Sequence, residues 1–361
     1  MPQKIIKRST SSSTWAVSSD LTPVDLAKEG LVTEVTIRGN ITVTLTAAAY
    51  DDFFRRVLQS IKLDGDGGRT FLGMSGAMSG AQMGTLLSLW GELRHKMPTI
   101  SSNGGGIALA APDVGSTQFV VCWKFHPGSN PRDPFDLTAA IPARALSTFQ
   151  AKLTTTANSI CDAGGNISAG TFNYEINEVL GLLVPRGLMV PQGTTLAYSH
   201  TANYSDFGYK IDVPAGAWLR SIVIMVKDST STISRRKDDE VTAIRLEKPK
   251  TGELVIEQTV YELKQAMCAR HGWRGTSGDV GPIGAIADLS PRPFSLQNMT
   301  PAGFYVIDLR DYFHPLYGLD LRAFQTGDYK LALTIENYTS GDGTIIYWDQ
   351  LLPVAPEYVG K

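Results

Sequence analysis

Four landmarks in the first half of this sequence return in the same order in the second half. That repetition restricts the chain to an architecture of two similar units. The segment Arg56-Val57-Leu58-Gln59-Ser60-Ile61-Lys62-Leu63-Asp64 matches Arg220-Ser221-Ile222-Val223-Ile224-Met225-Val226-Lys227-Asp228 at an offset of 164 (220 − 56). A helical pattern begins near Ser79 and again near Thr259, an offset of 180. The aromatic run Phe119–Trp123 parallels Phe304–Asp308 at 185, and Lys152-Leu153-Thr154 parallels Lys330-Leu331-Ala332 at 178. Each match is short, and the shared order is what ties them together. With 361 residues the chain accommodates two domains of roughly 150–180 residues each.

The local pattern says what the units are made of. From Glu34 to Leu45, Val35, Ile37, Ile41, Val43 and Leu45 alternate with Glu34, Thr36, Arg38, Asn40, Thr42 and Thr44. Period two marks a strand with one dry and one wet face. Phe119, Val121, Trp123 and Phe125 alternate likewise, as do Phe172, Tyr174 and Ile176, and Leu331, Leu333 and Ile335. Gly- and Pro-rich stretches such as Gly104-Gly105-Gly106 and Pro131-Arg132-Asp133-Pro134 separate them. Many short strands so punctuated predict an antiparallel sandwich or barrel.

Helical signals are few: Met83, Leu86, Leu87, Trp90 and Leu93 have helical spacing, Val260, Leu263 and Met267 give a weaker one, and Tyr50, Phe53, Phe54, Val57, Leu58 and Ile61 also fit it. Tyr50 to Ile61 reads as a short helix feeding a strand. Residues 1–30 are polar and Ser/Thr-rich, with Lys4, Lys7 and Arg8, and are expected to form a mobile arm. A Pro/Gly-rich connection from Gly181 to Gly193 divides the units. The expected plan is an arm at 1–30, a first unit at 31–190, a linker at 191–203, a second unit at 204–355 and a tail at 356–361.

Three stretches carry a family resemblance: Val213-Pro214-Ala215-Gly216-Ala217-Trp218-Leu219-Arg220-Ser221-Ile222, the helix Tyr261-Glu262-Leu263-Lys264, and Gly303–Leu309 followed by Gly318-Leu319-Asp320-Leu321-Arg322. The first half repeats the layout in Phe135–Ala139 and Phe149–Leu153. Over residues 31–352 the chain resembles the double jelly-roll capsid proteins of tectiviruses, corticoviruses and related membrane-containing phages, a fold distantly shared with the adenovirus hexon. The resemblance implies an all-β chain of two tandem eight-stranded antiparallel jelly-roll sandwiches with a few short helices in the loops.

It further implies a major capsid protein whose homotrimers form pseudo-hexagonal capsomers of an icosahedral shell, made in the host cytoplasm and ending in the virion. Its partners would be copies of itself, vertex and minor capsid proteins, and an internal membrane or genome reached through Lys4, Lys7 and Arg8. The Pro127–Phe135 stretch and His271-Gly272-Trp273-Arg274 are candidates for contact material between subunits, with plain surface loops as the alternative reading. The alternatives are a carbohydrate-binding or glycan-processing β-sandwich protein, and a minor virion protein at a spike or vertex.

No residue pattern speaks for an enzyme. Cys122, Cys161 and Cys268 form no CxxC pair, and His95, His126, His200, His271 and His314 are scattered without metal-ligand spacing. No GxSxG elbow and no phosphate-binding loop occur. Gly65-Asp66-Gly67-Gly68 lacks the distal Glu of a calcium loop and reads as a hairpin turn. Hence no catalytic residue, cofactor or metal site is expected. The net charge of −2 argues against a chain built to coat nucleic acid. No stretch has the apolar length of a signal peptide or a transmembrane span, which predicts a product that stays in the cytoplasm.

Overall fold

The computed structural model describes residues 4–45, 56–74, 82–95, 100–102, 115–130, 133, 135–157, 165–228, 235–236, 239–271 and 303–361. The first unit contains β1 (Lys4–Thr14), β2 (Val24–Asp25), β3 (Leu31–Leu45), β4 (Leu58–Gly65), β5 (Arg69–Met74), helix α1 (Gln82–His95), β6 (Ile100–Ser102), β7 (Gly115–Phe125), β8 (Phe149–Thr155) and β9 (Asn166–Leu180). The second contains β10 (Met189–Pro191), β11 (Gly193–Ser199), β12 (Tyr204–Asp212), β13 (Trp218–Asp228), β14 (Arg235–Arg236), β15 (Val241–Lys248), β16 (Glu253–Thr259), helix α2 (Val260–His271), β17 (Phe304–Asp308), β18 (Leu319–Asp320), β19 (Lys330–Ile335) and β20 (Gly343–Pro353).

With the marginal β6, β10, β14 and β18 set aside, each unit has eight strands among the described residues, and both are wound alike. In the first, one sheet runs β1-β9-β3-β7 and the other β2-β8-β4-β5; in the second they run β11-β20-β13-β17 and β12-β19-β15-β16. Counted along either unit, the orders are first–eighth–third–sixth and second–seventh–fourth–fifth. This is a jelly roll twice over. The units share a sheet. β5 pairs in parallel with β11, so the β2-β8-β4-β5 sheet continues into β11-β20-β13.

Helix α2 starts with a capping box. Thr259 Oγ1 accepts the Glu262 N–H at 3.3 Å, and Glu262 Oε2 accepts the Thr259 N–H at 2.7 Å. The alternation read at residues 34–45 is that of β3, whose Val35, Ile37, Ile41 and Val43 are buried. Gly39 interrupts the row because a Cβ there would lie 3.1 Å from the Trp123 ring and 3.2 Å from the Phe172 ring. Other strands do not alternate. On β13, β17 and β20, Ile222, Ile224, Tyr305, Ile307, Ile346 and Trp348 face the second unit's own core. Val223, Met225, Phe304, Val306, Ile345 and Tyr347 join the core of the first unit. A sheet covered on both sides reads as an unbroken apolar run.

This two-sided burial explains a wrong alignment in the repeat. β7 and β17 are both sixth strands, β8 and β19 both seventh, and each helix joins the fifth strand to the sixth. The Arg56–Asp64 and Arg220–Asp228 segments are not equivalent: the first is a fourth strand and the second a third. The counterpart of β4 is β15, at an offset of 183 (241 − 58), in line with the other landmarks. The counterpart of β13 is β3, which alternates where β13 does not, so the pattern conceals the relationship.

Three boundaries also differ from expectation. Residues 4–14 are no free arm; they form the first strand, paired with β9 from Lys4↔Leu180 to Thr14↔Thr171. Polar composition misleads there because an edge strand is held by backbone hydrogen bonds along one side and needs little apolar surface. The presumed linker at 191–203 contains β11, the first strand of the second unit. The tail at 356–361 returns to the first unit, where Gly360 N–H donates to Val184 O at 2.9 Å and Val184 N–H to Lys361 O at 3.1 Å. Residues 46–55, which include the first half of the Tyr50–Ile61 segment read as a short helix feeding a strand, lie outside the described residues, as do Ser79, residues 103–114 and residues 272–302.

Candidate functional site: the junction between the units

Charged groups are buried where the two units meet. Arg220 on β13 and Asp349 on β20 are each 2% exposed. Arg220 Nε donates to Asp349 Oδ2 at 2.8 Å and Nη2 to Oδ1 at 2.9 Å, while Ser221 Oγ donates to Oδ2 at 3.0 Å. The remaining guanidinium nitrogen, Nη1, donates to the carbonyl of Pro127 in the first unit. Burial alone would lower the Arg220 pKa, but the charge and hydrogen bonds of Asp349 raise it, so the ion pair stays intact.

A second cluster lies beside it. Asp308, at the end of β17, accepts from Arg310 Nε at 2.8 Å and pairs with Arg270 Nε at 2.9 Å; Arg270 also pairs with Asp311. Burial pushes the Asp308 carboxyl up, yet the hydrogen bonds and charge of Arg310, together with Arg270, hold it below its ordinary value. Arg310 Nη1 donates to Ser129 O at 3.3 Å, and Ser129 Oγ to Leu316 O at 3.3 Å. Thus Pro127 and Ser129, expected as contacts between subunits, hold the second unit of the same chain. Phe135, at the far end of that loop, is 47% exposed.

The loop itself is set by Asp136, which accepts from Thr138 N–H at 2.8 Å and from Asn130 N–H. Desolvation opposes its charge, but these bonds and nearby His126 keep its pKa low. The corresponding loop of the second unit repeats the turn: Asp320 accepts from Arg322 N–H at 3.1 Å. Both loops open on Phe-His-Pro, at Phe125–Pro127 and Phe313–Pro315.

The fold also assembles a relay that no sequence motif announces. His200 Nδ1 contacts Glu240 Oε1, and His200 Nε2 lies 2.8 Å from Thr344 Oγ1. The order hydroxyl–imidazole–carboxylate is that of a nucleophilic triad. Its position rules out that use in this conformation: the His200 and Glu240 side chains and Thr344 are 0% exposed, leaving a substrate no approach. The relay ties the start of the β11–β12 connection to β20 and to the residue before β15.

Lys4, Lys7 and Arg8 lie on β1. Their register positions on β1 lie opposite Leu180, Asn177 and Ile176. His271 ends α2, and Gly272, Trp273 and Arg274 lie outside the described residues. Among the described residues no three His, Cys, Asp or Glu side chains are grouped to hold a metal ion. No helix among them is long and apolar enough to cross a membrane.

No protein-family model matches the sequence, and no curated protein does. Solved structures do match, over nearly the whole chain. The STIV MCP has a TM-score of 0.72 at 16% identity, covering 98% of each chain. The atomic structure of Sulfolobus Turreted Icosahedral Virus gives 0.70 at 16% identity, covering 98% of this chain and 92% of that one. The major capsid protein P2 from bacteriophage PM2 gives 0.53 at 13% identity, covering 98% and 99%. With its two identically wound eight-stranded units, the chain has the double jelly-roll fold of these viral capsid proteins.

Proposed function

We propose that this chain is the major shell protein of an icosahedral virus, and that its homotrimers form near-hexagonal capsomers. The observation that carries the reading is the repeated strand order joined through one shared sheet. Two like units fixed side by side make a rigid two-lobed block, and three such blocks place six like lobes around an axis. The full-length likeness to capsid proteins supports it. The protein is made in the host cytoplasm and ends in the virion. Its partners are its own copies and the vertex and minor proteins of the shell, with Lys4, Lys7 and Arg8 on the side of an internal membrane or genome.

A shell subunit needs no catalytic centre, and the sealed His200–Glu240–Thr344 relay serves packing. The glycan-binding alternative calls for an exposed aromatic platform. Trp90, Trp123 and Trp348 are buried at 5%, 2% and 0% exposure, and the exposed rings Phe135, Tyr261, Tyr312 and Phe313 lie on loops and on α2, not along one sheet face. Light scattering and electron microscopy of the purified protein test the proposal. The expected result is a stable trimer with a six-lobed outline; a monomer at micromolar concentration overturns it.

A further inference from the structure

We infer that the segment Ser205–Gly208 is a guard built into β12, which keeps this edge of the sheet from pairing with an edge strand of a second copy. The inference goes beyond the shell-protein reading and holds for any number of copies in the native assembly. It starts from a strained stretch of backbone.

Asp206 and Phe207 have φ of 50° and 58°. That region suits glycine and is costly for a bulky side chain. Among the described residues no other two consecutive non-glycine residues share it. Three contacts hold the strain in place. Phe207 N–H donates to Thr334 Oγ1 at 3.1 Å, the Arg245 guanidinium lies 3.9 Å from the Phe207 ring centre, and Arg245 Nε in turn donates to Glu257 Oε2 at 2.9 Å. The ring therefore folds back onto its own sheet.

The strain alters the strand. β12 is the outer strand of the sheet β12-β19-β15-β16. Between the pairs Tyr204↔Ile335 and Tyr209↔Leu333, β12 advances five residues (209 − 204) and β19 only two (335 − 333), so β12 has three residues in excess. A straight edge strand offers an open row of N–H and C=O groups to any strand that meets it. A bulge bends the strand and breaks that row.

The other sheet edges among the described residues are managed as well. On β16, Val255 is one residue in excess between Leu254, opposite Glu247, and Ile256, opposite Leu246. On β1 one residue is in excess between Thr10, opposite Tyr174, and Ser13, opposite Phe172. β2, β6 and β14 are two, three and two residues long. Helix α2 straddles β17: its Leu263 joins the core with Tyr305 and Ile307, and its Met267 the core with Phe304 and Val306. Of these devices the one on β12 inserts the most residues and is held against strain, so it is the one to remove.

The test deletes residues 205–207. Tyr204, Gly208 and Tyr209 then stand opposite Ile335, Thr334 and Leu333 in a regular ladder, and the two tyrosines, whose rings now lie 5.1 Å apart, stay on one face. Two exposed residues and one half-buried residue are lost, and no core residue. The variant is expected to keep the native circular dichroism. In light scattering it should associate beyond the native assembly, with self-association tightened at least ~10-fold, and it should bind thioflavin T. The double change Asp206→Gly with Phe207→Gly keeps the three extra residues and relieves the strain, and should match the native association state without binding thioflavin T. Should the deletion alone unfold the chain, the deletion combined with Gly208→Thr sets a hydroxyl opposite Thr334 and is read in its place. A folded deletion variant that stays in the native assembly overturns the inference. So does association of the double-glycine variant, which would assign the guard to the side chains of Asp206 and Phe207.

Discussion

Tyr358 Oη donates to Asp66 Oδ2 at 3.1 Å across 292 residues of sequence, which fastens the C-terminal segment to the β4–β5 turn of the first unit. Asp66 also accepts from Ser147 N–H and Ser147 Oγ, both at 2.6 Å, and from Thr148 N–H at 3.1 Å. The guanidinium of Arg69 lies 5.4 Å from the Tyr358 ring. The C-terminal segment is thus fastened to the first unit at two places, the β4–β5 turn and Val184.

Tyr358→Phe removes one hydrogen bond and should cost about 1 kcal/mol. Removing residues 355–361 deletes in addition the two backbone bonds to Val184 and a ring that is 8% exposed, and should cost roughly 3–5 kcal/mol. Scanning calorimetry of both proteins checks the order. Equal losses would mean that the segment acts through the phenol alone.

Arg220→Met should be among the most damaging single changes at the junction. It strands the Asp349 carboxylate in a site that is 2% exposed, a loss of roughly 3–5 kcal/mol. The double change Arg220→Met with Asp349→Leu should recover a large part of that, because no charge is left buried. Urea midpoints of the single and double variants measure it, and a double variant no better than the single would contradict the account.

Acid should loosen the junction. Asp308 and Asp136 titrate below their ordinary value of 3.8, so the unfolded chain binds their protons at higher pH than the folded chain does. The stability they contribute is fully present above pH ~3.8 and drains away as pH falls through their lower folded values. Asp308→Asn and Asp136→Asn should each lower the melting temperature near neutrality and flatten its fall below pH ~4. A fall as steep as in the native chain would sink the assignment.

The N-terminal segment separates two roles. Deleting residues 2–14 removes the first strand of the first unit and leaves β9 with an open edge, so the product should fail to fold. Replacing Lys4, Lys7 and Arg8 together by Gln keeps the backbone pairing and should leave circular dichroism unchanged while impairing shell formation. Normal shells from the triple variant would remove these cations from assembly.

Much of the fold was legible because strand alternation is a local record of burial. Val35, Ile37, Ile41 and Val43, and likewise Phe172, Tyr174 and Ile176, face a core on one side of a sheet whose other side is wet. The helix after Thr259 was legible through its spacing, and its capping box is local too. The junction was not legible. Arg220, Asp349 and Pro127 come together from three distant segments, as do His200, Glu240 and Thr344, and no spacing along the chain encodes either set.

By itself, then, the sequence determined an all-β chain with two similar halves, since periodicity and ordered repetition are properties of neighbouring residues. Only the tertiary structure decided which strands correspond, that Lys4–Thr14 opens the first unit, and that the chain end closes back upon it. The reason is that strand partnership comes from contacts between residues far apart in sequence. Where a second layer covers β13, β17 and β20, it erases the alternation that would have told a third strand from a fourth.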